Sequence, residues 1–264
     1  MTGFQQAAAA IYLAAGIAAL LGLVLPSPRL TRGAVWALGL GAGVQGAAFA
    51  TLHELQPVPQ LTDLPYAISF MAWIAVISLL ILMWRLRLAE LTAAVGPLAF
   101  LAAFMPSLGI LAGSEGSGLP VGGTVPHAHV LLSSAGLGLL GISGLAGIFY
   151  LLEHRRLKRK RLGGGGVRLP SLEALDRVNV SALVVGFPLL SLGLITGSAW
   201  LYGASGQLWI WSPHAIWTLV GWGIYAGMSL ARFAGRQGAR QAAAAAVGGF
   251  AFLLFAVIGV EVLR

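Results

Sequence analysis

A chain of 264 residues that is 58% hydrophobic and only 9% charged, with 37 glycines, is too apolar to remain in water as a globular domain and reads as a polytopic membrane protein. A formal charge of +8 suggests nucleic acid, but the cations fall into clusters between long apolar runs, and that distribution excludes a nucleic-acid partner. The absence of cysteine excludes a structural disulfide, a thiolate metal site and thiol redox chemistry by this chain.

Crossing the hydrocarbon takes about 20 mainly apolar residues per helix. Runs of that length recur at 6–26, 33–53, 65–84, 89–112, 128–152, 181–202, 214–232 and 241–262. The expected fold is therefore all-α, a polytopic bundle of about eight transmembrane helices forming one membrane domain, 1–264. The first run has no basic residue before it and exceeds a secretion-signal core, so it is expected to be a retained helix. Arg29 and Arg32 follow span one, Arg85 and Arg87 span three, Arg155 to Arg177 span five, and Arg232, Arg236 and Arg240 span seven. The loops after spans two, four and six hold no Lys or Arg. By the positive-inside rule, odd loops face the cytoplasm, and even loops and both termini face outward.

Span four carries Pro97 and Pro106 and is expected to be kinked or broken, because proline removes a helix hydrogen bond and crowds the preceding turn. The Gly- and Pro-rich loop after it, GSEGSGLPVGGTVP, is expected to move over the outer face. Beyond span five, HRRLKRKRLGGGGVRLP (154–170) reads as a basic, flexible cytoplasmic linker that anchors topology and touches anionic lipid. It divides a five-helix part, 1–153, from a three-helix part, 181–264, with 154–180 between them. Ser171, Leu172 and Glu173 predict a short capped helix leading into span six.

Buried charges, paired carboxylates, a Ser–His–Asp set and a phosphate-binding glycine loop do not stand out, so an enzyme using side-chain acid–base chemistry is not expected. A small transporter is disfavoured by the same scarcity of buried polar residues, and no internal repeat points to one. The histidines are more informative. His154 belongs to the basic run, whereas His53, His127, His129 and His214 all map to the outer ends of helices. Imidazole is the commonest protein ligand for metals and binds haem iron. Five of the eight tryptophans lie between Trp200 and Trp222, around His214. An interfacial aromatic belt accounts for Trp200, Trp209 and Trp211, but less readily for Trp217 and Trp222, which enter span seven. A haem platform requires a flat apolar surface, one or two imidazoles and partners for the propionates. Trp209, Trp211 and Trp217 supply the surface, His129 with His53 or His214 the nitrogen, and Ser205, Ser212, Thr124 or indole N–H groups the hydrogen bonds.

Three segments resemble the cytochrome c assembly protein family, the CcsA/CcmC/HemX group: FPLLSLGLITGSAW (187–200), WIWSPHAIWTLVGWGIYAGMSLAR (209–232) and AAVGGFAFLLFAVIGVEVL (245–263). Its tryptophan-rich loop reads W-x-W-D-P-K-E-x-W-x-L-x-x-W-x-x-Y, and Trp209, Trp211, Pro213, Trp217, Leu219, Trp222 and Tyr225 stand in register with it. AHVLLSSAGLGLLGISGLAGIFYLLEHRRLK (128–158) resembles the family helix that opens on a His-Val pair, which implies that His129 ligates haem iron. The resemblance covers about 125–264, and the preceding helices fit the short, HemX- or YpjD-like members.

Three positions depart from the loop motif: Ser212 for Asp, His214 for Lys and Ala215 for Glu. A histidine late in the following helix is replaced near Leu230, and the sequence stops before the second external histidine of full-length CcsA. The resemblance thus implies a bacterial inner-membrane protein of cytochrome c maturation, with the tryptophan-rich loop on the periplasmic side. It would bind or relay non-covalent haem b through His129, with Trp209, Trp211, His214, Trp217, Trp222, His53 and His127 around it, and would pass haem to other maturation proteins or an apocytochrome. The alternative is a non-catalytic HemX-like regulatory or assembly factor that keeps the fold without haem and works through its basic loop.

Overall fold

The computed structural model describes residues 2–25, 27–52, 61, 63–86, 88–108, 124–159 and 169–256. Among these there are eight α-helices and no strand: α1 (Thr2–Val24), α2 (Pro28–Ala50), α3 (Leu64–Arg85), α4 (Thr92–Leu108), α5 (Thr124–Lys158), α6 (Leu172–Ser205), α7 (Pro213–Phe233) and α8 (Ala239–Leu254). A 3-10 turn, Ala89–Leu91, leads into α4. Helices α1, α2, α3, α5 and α6, and α4 together with that turn, are each long and apolar enough to cross a membrane. α8 is apolar but described over only 16 residues, and the remainder of its expected span lies outside the described residues. α7, of 21 residues, falls outside that set. The chain is an all-helical, polytopic membrane protein.

The helices gather into two compact units, one of Met1–Gly118 with Arg161–Pro170, the other of Leu119–Lys160 with Ser171–Arg264. In the first, α1 packs along α2 and α4. Gly16 and Gly96 make the α1–α4 crossing possible: a Cβ on Gly16 would lie 2.6 Å from the Pro97 ring, and one on Gly96 2.7 Å from the Gly16 backbone. Of the kink or break expected in α4, the break does not occur: the helix runs continuously through both prolines. The Pro97 ring is accommodated because Gly16 presents no side chain to it. A buried polar chain ties three helices together. Tyr12 donates to Gln45 Oε1 at 2.7 Å, and Gln45 Nε2 donates to Ser69 Oγ at 3.0 Å and Ser69 O at 3.2 Å. Trp73 Nε1 adds a bond to Ala42 O at 2.8 Å. In a membrane interior such bonds fix which faces meet, because apolar surface does not discriminate between helix and lipid.

In the second unit α5 lies against both α6 and α8. Its glycines set the spacing. A Cβ on Gly136 would fall 2.6 Å from the Leu190 nitrogen, and one on Gly147 2.6 Å from the Ala243 carbonyl oxygen. Backbones this close gain van der Waals contact, which substitutes for the missing hydrophobic drive between helices in lipid. Packing therefore groups α5 with α6–α8, whereas the sequence reading divided the chain after residue 153. Of the linker expected over 154–180, residues 154–158 belong to α5 and 172–180 to α6. α5 continues to Lys158, its last turn carrying Arg155, Arg156 and Lys158, where cations suit the carbonyl end of a helix. Residues 160–168, with the four glycines, lie outside the described residues. The short helix expected at Ser171 is the start of the 34-residue α6; its cap is as expected, Ser171 Oγ accepting from Ala174 N at 3.2 Å. Asp176, in that same segment, accepts two bonds of 2.8 Å from Arg232 of α7.

Candidate functional site at the tryptophan-bearing end of the second unit

Successive helices of this unit run antiparallel, so the start of α5, the end of α6, the start of α7 and the end of α8 share one end. The cations of α5, α7 and α8 gather at the opposite end. His129 and the tryptophans occupy the end that holds no Lys or Arg among the described residues.

His129 is held against α6 by two matched steps. His129 and Ser133, one helical turn apart on α5, face Gly197 and Gly193, one turn apart on α6. A Cβ on Gly197 would lie 2.8 Å from both Cε1 and Nδ1 of His129, so the imidazole rests directly on that glycine. His129 Nδ1 is 2.8 Å from Gly193 O. A carbonyl only accepts, so Nδ1 carries a proton, and of the two neutral tautomers this contact selects the one whose lone pair is at Nε2. Protein imidazoles that bind metals are oriented this way, by a hydrogen bond from the other nitrogen to a carbonyl. Thr196 Oγ1 also donates to Gly193 O, at 3.0 Å. Trp200, one turn further along α6, flanks the ring with centroids 5.9 Å apart and a 42° tilt.

α6 ends at Gly206, whose φ of 73° is the left-handed conformation that favours glycine and terminates helices. The connection to α7 folds back through a 2.6 Å bond from Ser198 Oγ to Leu208 O. Trp209 and Trp211 meet edge to face, centroids 6.2 Å apart. Trp211 is 76% exposed, with Leu208 and Ile210 exposed beside it, while the Trp209 indole N–H is buried with no hydrogen-bond partner. Ser212 caps α7, its hydroxyl accepting from Ala215 N at 3.2 Å. Aspartate and serine are comparable helix caps, so serine at the motif's Asp position preserves the local structure.

The remaining residues separate. Trp222 Nε1 donates to Ser191 Oγ on α6 at 2.9 Å, and its ring packs on Phe187. Trp217 packs between Phe252 and Phe255, at 5.8 and 5.2 Å. Both join helices of the unit. His127 is exposed, and two residues from His129 it lies on another side of α5, since positions two apart on a helix do not face each other. The backbone of His214 opens α7; its side chain and the whole of His53 lie outside the described residues, as does the loop 109–123. Among the described residues no three His, Asp or Glu side chains cluster as a metal site. Gly193, Gly197 and Trp200 complete its surroundings and were not singled out as site residues in the sequence. The signal was present: Gly-x-x-x-Gly at 193–197, opposite His-x-x-x-Ser at 129–133.

The arrangement defines a multi-pass helical protein with an oriented imidazole at the same end of the unit as an aromatic loop. The sequence model of the family described as cytochrome c assembly protein matches residues 61–264, and the chain belongs to that family. It is similar to the cytochrome c biogenesis protein CcsA of Prochlorococcus marinus (strain MIT 9303), 38% identical over 103 residues, covering 37% of this chain and 32% of that protein. The CcsA protein of Synechocystis sp. is 31% identical over 125 residues, covering 47% of this chain and 37% of the relative. That of Prochlorococcus marinus subsp. pastoris is 29% identical over 156 residues, covering 53% and 50%. The matched region spans from about a third to half of the length of these relatives.

Proposed function

We propose that this protein takes part in cytochrome c biogenesis by binding or relaying haem b, non-covalently, at the tryptophan-bearing end of its second unit. The observation that carries this reading is the His129 imidazole, held by Gly193 O so that Nε2 carries the lone pair, with the Trp200 ring beside it. Haem is the cargo, and iron is the element an imidazole nitrogen ligates. Trp209 and Trp211 offer the flat face, and the Trp209 indole N–H and loop hydroxyls offer hydrogen bonds to propionates. One axial donor suits a carrier that must release what it binds. The positive-inside rule supports a bacterial inner-membrane location with this end facing the periplasm, since the Lys and Arg clusters of α5 and α7 lie at the other end. Other maturation proteins or an apocytochrome are then the receivers.

The test is an absorption spectrum of protein purified from haem-replete cells. Wild type shows a Soret band, and His129→Ala loses it while retaining its helical content and melting temperature. A wild type that shows no Soret band after loading with haem would overturn the reading.

A second reading is favoured by one observation: Trp217 and Trp222 are engaged in helix packing, so scaffold alone accounts for half of the motif tryptophans. The chain is then a non-catalytic HemX-like assembly or regulatory factor whose working surface is the basic end, Arg155 to Arg161. Neutralising those residues with topology preserved would abolish the phenotype on this reading, and His129→Ala would not.

A further inference from the structure

A second site lies within the first unit and does not depend on the haem reading. The end of α1, the start of α2, the end of α3 and the 3-10 turn before α4 enclose an open cleft of about 960 Å³. Three charged side chains line it: Arg32, Arg85 and Glu90. None of the three is in an ion pair among the described residues, although both signs share one cleft. Glu90 Oε2 is buried and has no hydrogen-bond partner. Leaving a carboxylate oxygen dry and unpaired is costly, so a donor is expected to reach it when the site is filled. At the same cleft Ser27 stands at the N-cap of α2 without a side-chain cap bond, which leaves the positive end of that helix dipole directed there. Trp36 and Trp84, 80% and 92% exposed, form its apolar rim. Exposed tryptophan at the ends of membrane helices marks the level of lipid headgroups and glycerol.

We propose that this cleft is a specific binding site for a phospholipid whose headgroup carries both a phosphate and a primary ammonium, the phosphatidylethanolamine class. Arg32, Arg85 and the start of α2 receive the phosphate. The ammonium donates an N–H to the buried oxygen of Glu90. The chemistry selects within lipids: a choline headgroup has no N–H to give Glu90, and a glycerol headgroup has no cation. A haem ligand is disfavoured here because no imidazole lines the cleft.

The experiment is native mass spectrometry of the full chain released from vesicles containing equal amounts of phosphatidylethanolamine, its N,N-dimethyl derivative, phosphatidylcholine and phosphatidylglycerol. Retention of phosphatidylethanolamine is expected to exceed that of phosphatidylcholine by about tenfold, the worth of one charge-assisted hydrogen bond. The dimethyl lipid falls between them. This series needs no variant. Glu90→Gln is expected to remove the preference for the amine over phosphatidylglycerol, and the double variant Arg32→Gln, Arg85→Gln to weaken both. Equal retention of all four lipids, an unchanged preference in Glu90→Gln, or displacement of bound lipid by millimolar inorganic phosphate or by haem would each overturn the proposal.

Discussion

Trp211 and Trp222 belong to one sequence motif and do opposite things. Trp222 sits within α7, spends its indole N–H on Ser191 and packs on Phe187, so it joins two helices. Trp211 sits in the connection before α7, mostly exposed, its ring edge to face with Trp209. The difference lies in what each indole has left to offer. A tryptophan whose face and N–H are both used inside the protein is scaffold, whereas one that keeps its face outward, beside a neighbour whose buried N–H has no partner, retains the means to hold a flat ligand. A motif defined by spacing joins these two roles because both are needed to build a rigid end on which a loop can stand.

The comparison breaks most completely if the scaffold itself fails. Gly136→Leu inserts a side chain where a Cβ alone would lie 2.6 Å from the Leu190 backbone, so the α5–α6 crossing should not close. A loss of about 3 kcal/mol or more is expected, seen as lost yield and early thermal unfolding in detergent. Next in size is ligand binding. His129→Ala should abolish the Soret band at nearly unchanged melting temperature, while His127→Ala, on another side of the same helix, should leave it in place; equal losses would dissolve the distinction between the two histidines.

Smaller effects sharpen the comparison between the tryptophans. Trp222→Phe removes the donor to Ser191 and should cost about 1 kcal/mol of stability with binding retained. Trp211→Ala should reverse that pattern, with stability within about 0.5 kcal/mol of wild type and haem affinity reduced. If both substitutions lower stability alike, Trp211 is scaffold too. The last pair of variants concerns the cap, where restoring the motif residue should change least. Ser212→Ala should lower the melting temperature by the equivalent of about 1 kcal/mol, and Ser212→Asp, restoring the motif residue, should be within a few tenths of wild type.

Much of the fold was legible because membrane helices announce themselves by length and apolarity, and every one of the eight apolar runs overlaps a helix. The cap at Ser171 was legible for a local reason, a hydroxyl positioned to accept from a nitrogen three residues on. The extent of α6 was not. Charged Glu173, Asp176 and Arg177 looked like an interfacial preface to a span, yet helix continuity there is supported by Arg232, far along the chain, binding Asp176. The prolines of α4 did not break the helix, and Gly16 on α1 leaves room for the Pro97 ring at the crossing of the two helices.

The sequence alone determined that this chain enters a membrane, that it is helical, and that it carries the tryptophan register of the cytochrome c assembly family, since these follow from composition, period and spacing along one chain. Only the tertiary structure decided which nitrogen of His129 holds the proton, which tryptophans are consumed by packing, and that Arg32, Arg85 and Glu90 share one cleft. Each of these depends on what a side chain meets across a helix crossing. The crossings are set by where glycine lets two backbones approach, and a linear sequence does not say which glycine meets which partner.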